Sequence, residues 1–169
     1  MKKAAKFFAG IKLQIVTLCC LVLCLPSIVT AADADAEMSS TIEPYCEWKS
    51  VNHTIKEPLC GLSGDAARGE EIASNGNKGN CVACHTLPVS STNVFGTIGP
   101  PLEGVGTRLP VEYMRLRIVD SRNFSPMSIM PGFYRNPQYI NRPGKVYEGR
   151  TFLTAQQIED VIAYLVTLK

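Results

Sequence analysis

The 169-residue sequence has no apolar run long enough to cross a bilayer. Its longest, Leu13 to Leu25, is interrupted by Gln14 and Thr17 and closed by Pro26. A span needs about 20 apolar residues, so a stable membrane anchor is excluded. There is no twin-arginine pair, which leaves export in an unfolded state as the default route. No internal repeat or low-complexity tract appears, and the length suits one domain rather than two. No pattern of paired strands is convincing, which makes the domain all-α. A catalytic constellation is also missing. Asp65, Glu70 and Glu71 read as a solvated helix face with a favourable N-terminal charge.

What is present begins with an export signal. Lys2, Lys3, Lys6 and Lys12 precede or open the apolar run, and Val29-Thr30-Ala31 supplies the small and branched residues that a signal peptidase reads. Residues 1–31 are therefore expected to be a cleaved signal peptide, and the mature chain periplasmic. Lipidation at Cys19, Cys20 or Cys24 is disfavoured because Leu18, Cys19 and Leu23 stand where a small residue is wanted. The leader holds four of the 17 basic residues and none of the 15 acidic ones, so the mature chain has a net charge of −2. No basic stripe remains, which removes nucleic acid as a partner. Of seven cysteines, Cys46, Cys60, Cys81 and Cys84 stay with the mature chain.

Residues 32–62 read as an irregular extension strapped onto the domain, with Trp48, Val51, Ile55 and Leu59 covering one patch of its core. The domain proper occupies residues 63–169. Asp65 can cap a first helix that runs from Ala66 to Ser74 and stops at Asn75-Gly76. A second begins near Pro110 and reaches about Asp120. The last is the clearest: Thr154 and Gln157 form a capping box, and Ile158, Val161, Ile162, Leu165 and Leu168 repeat at helical spacing. Residues 121–150 between them hold four prolines and three glycines. Loops of that length are uncommon unless functional.

Cys81-Val82-Ala83-Cys84-His85 occurs once. Two cysteines on one helical turn can each form a thioether to a haem vinyl group, and the histidine after them points its imidazole at the iron from the same side. One covalent haem c is therefore expected, with His85 as proximal ligand. A redox dithiol would want a surrounding βαβ pattern, which is absent. A zinc site borrowing Cys46, Cys60 or His53 matches no familiar spacing. The oxidising compartment then leaves Cys46 and Cys60 to pair with each other. For the sixth iron ligand the candidates are His53, Met38, Met114, Met127 and Met130. Met114 fits a helix core, His53 a solvated site and Met38 a loose acidic tail. Met130 is favoured over Met127 because Pro131 biases it toward extended backbone, which projects the thioether from a loop. His/Met ligation favours Fe(II) and suits an electron carrier.

Gly99-Pro100-Pro101-Leu102, followed by Arg108, resembles the segment after the haem motif in class I cytochromes c. Val161-Ile162-Ala163-Tyr164-Leu165 resembles that family's C-terminal helix, and Gly69 its close-packing glycine in the first helix. The resemblance implies the class I cytochrome c-like fold, with helices packed around the haem. It implies that the Pro100 carbonyl accepts from His85, that Leu102 walls the haem and that Arg108 reaches a propionate. A closer likeness covers residues 64–169. Leu116-Arg117-Ile118-Val119-Asp120, Ile129-Met130-Pro131-Gly132-Phe133-Tyr134-Arg135 and Leu153-Thr154-Ala155-Gln156-Gln157-Ile158-Glu159-Asp160 resemble the monohaem X subunits of the Sox thiosulfate-oxidising cytochrome complexes. Ser125-Pro126-Met127-Ser128 and the Cys46/Cys60 extension depart from that pattern. The likeness points again to Met130 as ligand. It implies a heterodimer with a haem-containing A subunit that couples thiosulfate to a cysteine of a sulfur-carrier protein, an L-cysteine S-thiosulfotransferase. This chain would take up the electrons, pass them to a small periplasmic cytochrome c and not be catalytic alone. The alternative is a free-standing carrier, which would show a small polar docking patch. A permanent subunit would show a larger apolar one, for which Phe133, Tyr134, Tyr139 and Ile140 are the candidates, although a loop with four prolines could equally bury them as its own core.

Overall fold

The computed structural model describes residues 43–169; the expected signal peptide, the start of the extension and Met38 lie outside them. The described part is helical: α1 (Ala66–Ser74), α2 (Val105–Arg108), α3 (Val111–Asp120) and α4 (Ala155–Thr167), joined by loops that contain single 3-10 turns. Among these residues the one β-type pairing is an isolated bridge between Val51 and Thr54. No described helix is long and apolar enough to cross a membrane.

Local chemistry sets the helix ends. The Asp65 carboxylate accepts from the Arg68 N–H at 2.9 Å and caps α1. At α4 the Thr154 hydroxyl accepts from the Gln157 N–H at 3.2 Å, while the Gln157 side chain accepts from the Thr154 N–H at 3.0 Å. Two orphan donors are thereby satisfied by one reciprocal pair. Pro110 stands just before α3, where its carbonyl accepts from Tyr113 and Met114 at 3.1 Å each. The short α2 was not visible in the periodicity. It is a single turn launched from Gly104, whose φ of 69° suits a residue without a side chain.

The α1 and α4 axes cross at Gly69. A Cβ there would collide with the Asp160 carbonyl and sit 2.8 Å from the Tyr164 Cβ, so only glycine permits this approach. Around the crossing, Ile72 and Ala73 of α1, Leu116 and Val119 of α3, and Ile158, Val161 and Leu165 of α4 form the core.

The extension lies against this core through Ile55 and Leu59, both buried, and through the partly buried Trp48. Val51 does not join them: it is 59% exposed at the base of the turn that its bridge with Thr54 closes. Beneath the extension, Arg115 of α3 and Glu159 of α4 form a buried bidentate pair at 2.9 and 3.0 Å. The same guanidinium donates to the Ile55 and Lys56 carbonyls at 2.8 and 3.1 Å, and Glu159 accepts from the Leu59 N–H at 2.9 Å. Two charges withdrawn from water thus gain enough partners to be tolerated, and those partners belong to the extension. Cys46 and Cys60 are joined in a disulfide, with Cα atoms 5.6 Å apart.

Candidate haem-attachment site

Cys81 to Ala83 make one 3-10 turn directly after Asn80, a residue with φ of 47°. The Cys84 and His85 N–H groups both donate to the Cys81 carbonyl, at 3.1 and 2.9 Å. This winding brings the two thiols and the imidazole of the motif onto one compact turn. The following loop folds back on it. Gly96, Gly99 and Leu102 donate their N–H groups to the carbonyls of Val82, Cys84 and Thr86 at 2.8, 2.8 and 2.9 Å. The motif is therefore braced by the segment that carries Pro100.

His85 Nδ1 lies 2.7 Å from the Pro100 carbonyl oxygen. A carbonyl can only accept, so Nδ1 carries the proton and Nε2 keeps its lone pair for a metal. Gly99 lies so close beneath the ring that a Cβ there would overlap the imidazole. The ring is thus fixed in tautomer by one neighbour and in position by the next. Leu102 is half-buried and packs on the core, beside the fully buried Val105. Arg108 sits at the exposed edge, where its guanidinium donates to the Pro101 carbonyl at 2.9 Å and to the Glu103 carbonyl.

Cys81 and Cys84 are free of any disulfide. Desolvation at its site, aided by the neighbouring Cys84, pushes the Cys81 thiol up to about 11. Redox dithiols work through a thiol of lowered pKa, so this environment is the opposite of theirs. Among the described residues no group of three or more His, Cys, Asp or Glu is placed to hold a metal ion.

The remaining ligand candidates separate by surroundings. Met114 is buried within α3, and His53 is an exposed turn residue with its ring edge-on to Phe124 at 5.6 Å. Met127 is 88% exposed. Met130 is half-buried against the core and lines an open cleft of about 470 Å³ with Pro131, Ile140 and Phe152. Its carbonyl accepts from the Ser121 hydroxyl at 2.9 Å. Two thiols and an imidazole with a free Nε2 on one turn form a donor set that fits a covalently attached haem; the Met130 thioether lies apart from them in sequence, in a cleft that Arg122 and Arg135 also line.

The cytochrome c family model matches residues 66–169, well over half of the sequence. This chain belongs to the cytochrome c family. A chain of the SoxXA crystal structure from P. pantotrophus is 35% identical to this cytochrome, with a TM-score of 0.66. The match covers 73% of the present chain and 95% of that one. No curated protein matches. The cytochrome is Sox-like, of class I type, and carries one covalently bound haem c.

Sequence reasoning missed two features of this region. Ser121 gave no signal because its role depends on a loop returning to the end of α3. Tyr164, in α4, has a buried hydroxyl with no hydrogen-bond partner. Burial first, then the charges of Glu70 and Cys81, push that phenol up to about 12.

Proposed function

We propose that this chain is the electron-transfer subunit of a periplasmic thiosulfate-oxidising heterodimer, an L-cysteine S-thiosulfotransferase. The observation that carries this reading is 35% identity over 95% of a SoxXA chain. Cys81 and Cys84 would hold the haem through two thioethers, and His85 and Met130 would ligate its iron, which would supply one-electron redox chemistry. Pro100 would keep His85 oriented, Leu102 would wall the haem, and Arg108 would offer its remaining N–H groups to a propionate. A haem-containing A subunit joins thiosulfate to a cysteine of a sulfur-carrier protein. Forming that S–S bond releases the thiol proton and two electrons. This chain accepts the electrons one at a time and delivers them to a small cytochrome c.

Cys46 and Cys60 are bridged, so outside the haem motif no described cysteine is left to carry sulfur, which speaks against thiosulfate coupling by this chain alone. One observation favours a subunit over a free-standing carrier. The long loop turns large apolar side chains outward: Met127 at 88%, Ile129 at 80% and Tyr139 at 74% exposure, with Ile129 and the exposed Phe152 lining one cleft. Exposed apolar surface of this kind suits a lasting partner. The patch differs from the one expected, since Tyr134 is buried, Phe133 packs on the core and Ile140 is half-buried.

The test is co-expression of the tagged mature chain with an A subunit. Co-purification is expected, with thiosulfate coupling to a carrier cysteine that needs both chains. Steady turnover by this chain alone, or an A subunit that couples at full rate without it, would overturn the assignment.

A further inference from the structure

The extension makes its most specific contacts with one residue of the long loop. The Cys46 N–H donates to the Tyr134 hydroxyl at 2.8 Å, and the Trp48 indole N–H donates to the Tyr134 carbonyl at 3.2 Å. Tyr45 stacks on the Tyr134 ring with centroids 5.0 Å apart. From the other side, the Phe133 and Tyr134 N–H groups donate to the Ile118 and Val119 carbonyls, both at 3.1 Å. Tyr134 is 2% exposed and gripped between α3 and the extension.

Tyr134 stands four residues after Met130, across Pro131-Gly132-Phe133. Pro131 has a fixed φ, and Gly132 is buried with no room for a Cβ beside Arg135. Little slack remains between the two positions. Met130 is held on its own carbonyl by Ser121. The Met130 segment is thus pinned at one end by Ser121 and at the other by Tyr134.

The disulfide bears directly on the second pin. Cys46, the donor to Tyr134, is one end of the bridge; Cys60, the other end, follows Leu59, whose N–H is fixed by buried Glu159. The bridge therefore ties the donor that meets Tyr134 to the buried ion pair between α3 and α4.

We infer that the disulfide-closed extension is a positioning clamp that acts through Tyr134 to hold Met130 in place and resist its displacement from the iron. This rests on Met130 being the axial ligand, as proposed above. An external ligand binds only when the methionine segment opens locally. Interactions made only in the closed state raise the cost of opening and lower that ligand's apparent affinity.

The experiment titrates the ferric, haem-loaded mature protein with imidazole and records the sulfur-to-iron charge-transfer band. The variants are Tyr134→Phe, Trp48→Phe and the double substitution C46S/C60S. Asp65→Ala, which removes the α1 cap and none of the bonds to Tyr134, controls for global stability. Imidazole should bind about threefold more tightly to Tyr134→Phe and to Trp48→Phe, and about tenfold more tightly to C46S/C60S. Asp65→Ala should lower Tm and leave imidazole affinity at the wild-type value. If the extension variants lower Tm but bind imidazole as wild type does, the extension only stabilises the fold and the clamp is refuted. If Met130→Leu keeps the charge-transfer band, the ligand reading itself fails and takes the clamp with it. Should C46S/C60S not fold, Tyr134→Phe and Trp48→Phe decide the matter alone.

Discussion

Met127 and Met130 are three residues apart in one loop, yet one side chain projects into solvent and the other packs on the core. The difference begins with backbone chemistry. Pro131 biases Met130 toward extended geometry. The Ser121 hydroxyl, 2.8 Å from the Ser128 hydroxyl and bonded to the Met130 carbonyl, fastens the turn between the two methionines. Replacing Met130 by Leu should abolish the ferric sulfur-to-iron band and lower the midpoint potential, because the soft ligand that favours Fe(II) is gone. Replacing Met127 by Leu should leave both unchanged. Optical spectra and a redox titration of the two variants check this, and the reverse pattern would move the ligand to Met127. Gly99 shows the same dependence on single atoms, since one added methyl group would displace the His85 ring.

Among the elements, α4 is the hub, through two consecutive acids that face different partners. Glu159 joins the extension to α3 through Arg115. Asp160 joins α1: it accepts from the Asp65 N–H at 2.8 Å, from Arg68 at 2.9 and 3.0 Å, and from Gln156 at 2.9 Å. Burial by itself would raise the Asp160 carboxyl, but the Arg68, Asp65 and Gln156 bonds together outweigh it and hold the group below its usual 3.8. A carboxylate depressed in the folded state adds stability that is full above its unfolded value and is lost as pH falls through the folded one. Asp160→Asn should therefore lower Tm at pH 7. Its Tm should converge with that of the wild type below pH 3.8, once the wild-type carboxyl is also protonated. Thermal melts across an acid pH series test this; a gap that persists undiminished at the acid end would mean that packing, not charge, sets the difference.

At the scale of the molecule, a disulfide closes the extension on itself, and the closed extension lies against a small helical domain. The bridge spans 14 residues, for which the chain-entropy account gives a stabilisation of about 3 kcal/mol. Haem-free protein treated with an alkylating reagent before reduction should take up label at Cys81 and Cys84 and none at Cys46 and Cys60. Intact mass before and after reduction reads this directly. Label on all four cysteines without reduction would show that the strap is open in solution.

The sequence alone was enough to read the haem motif, the helix caps and the periodic face of α4, because each is encoded within a few adjacent residues. Asp65, Thr154 and Gln157 act on backbone groups at most three positions away, and Cys81, Cys84 and His85 work as one turn. The cysteine bridge was legible for another reason: only two cysteines remained outside the motif and the expected leader. The tertiary structure alone decided what depends on residues distant in sequence. Arg115 reads as a charge interrupting an apolar helix until Glu159, 44 residues on, and the Ile55 carbonyl, 60 residues back, meet it in a buried site. Val51 has the apolar character and spacing of a core residue, but the bridge turn with Thr54 faces it outward. Tyr134 reads as a surface aromatic in a proline-rich loop; the extension, 86 and 88 residues away at its two hydrogen bonds, makes it a buried anchor. Periodicity and capping report a residue's relation to its own element, whereas burial and hydrogen-bond partnership are set by the elements that close over it.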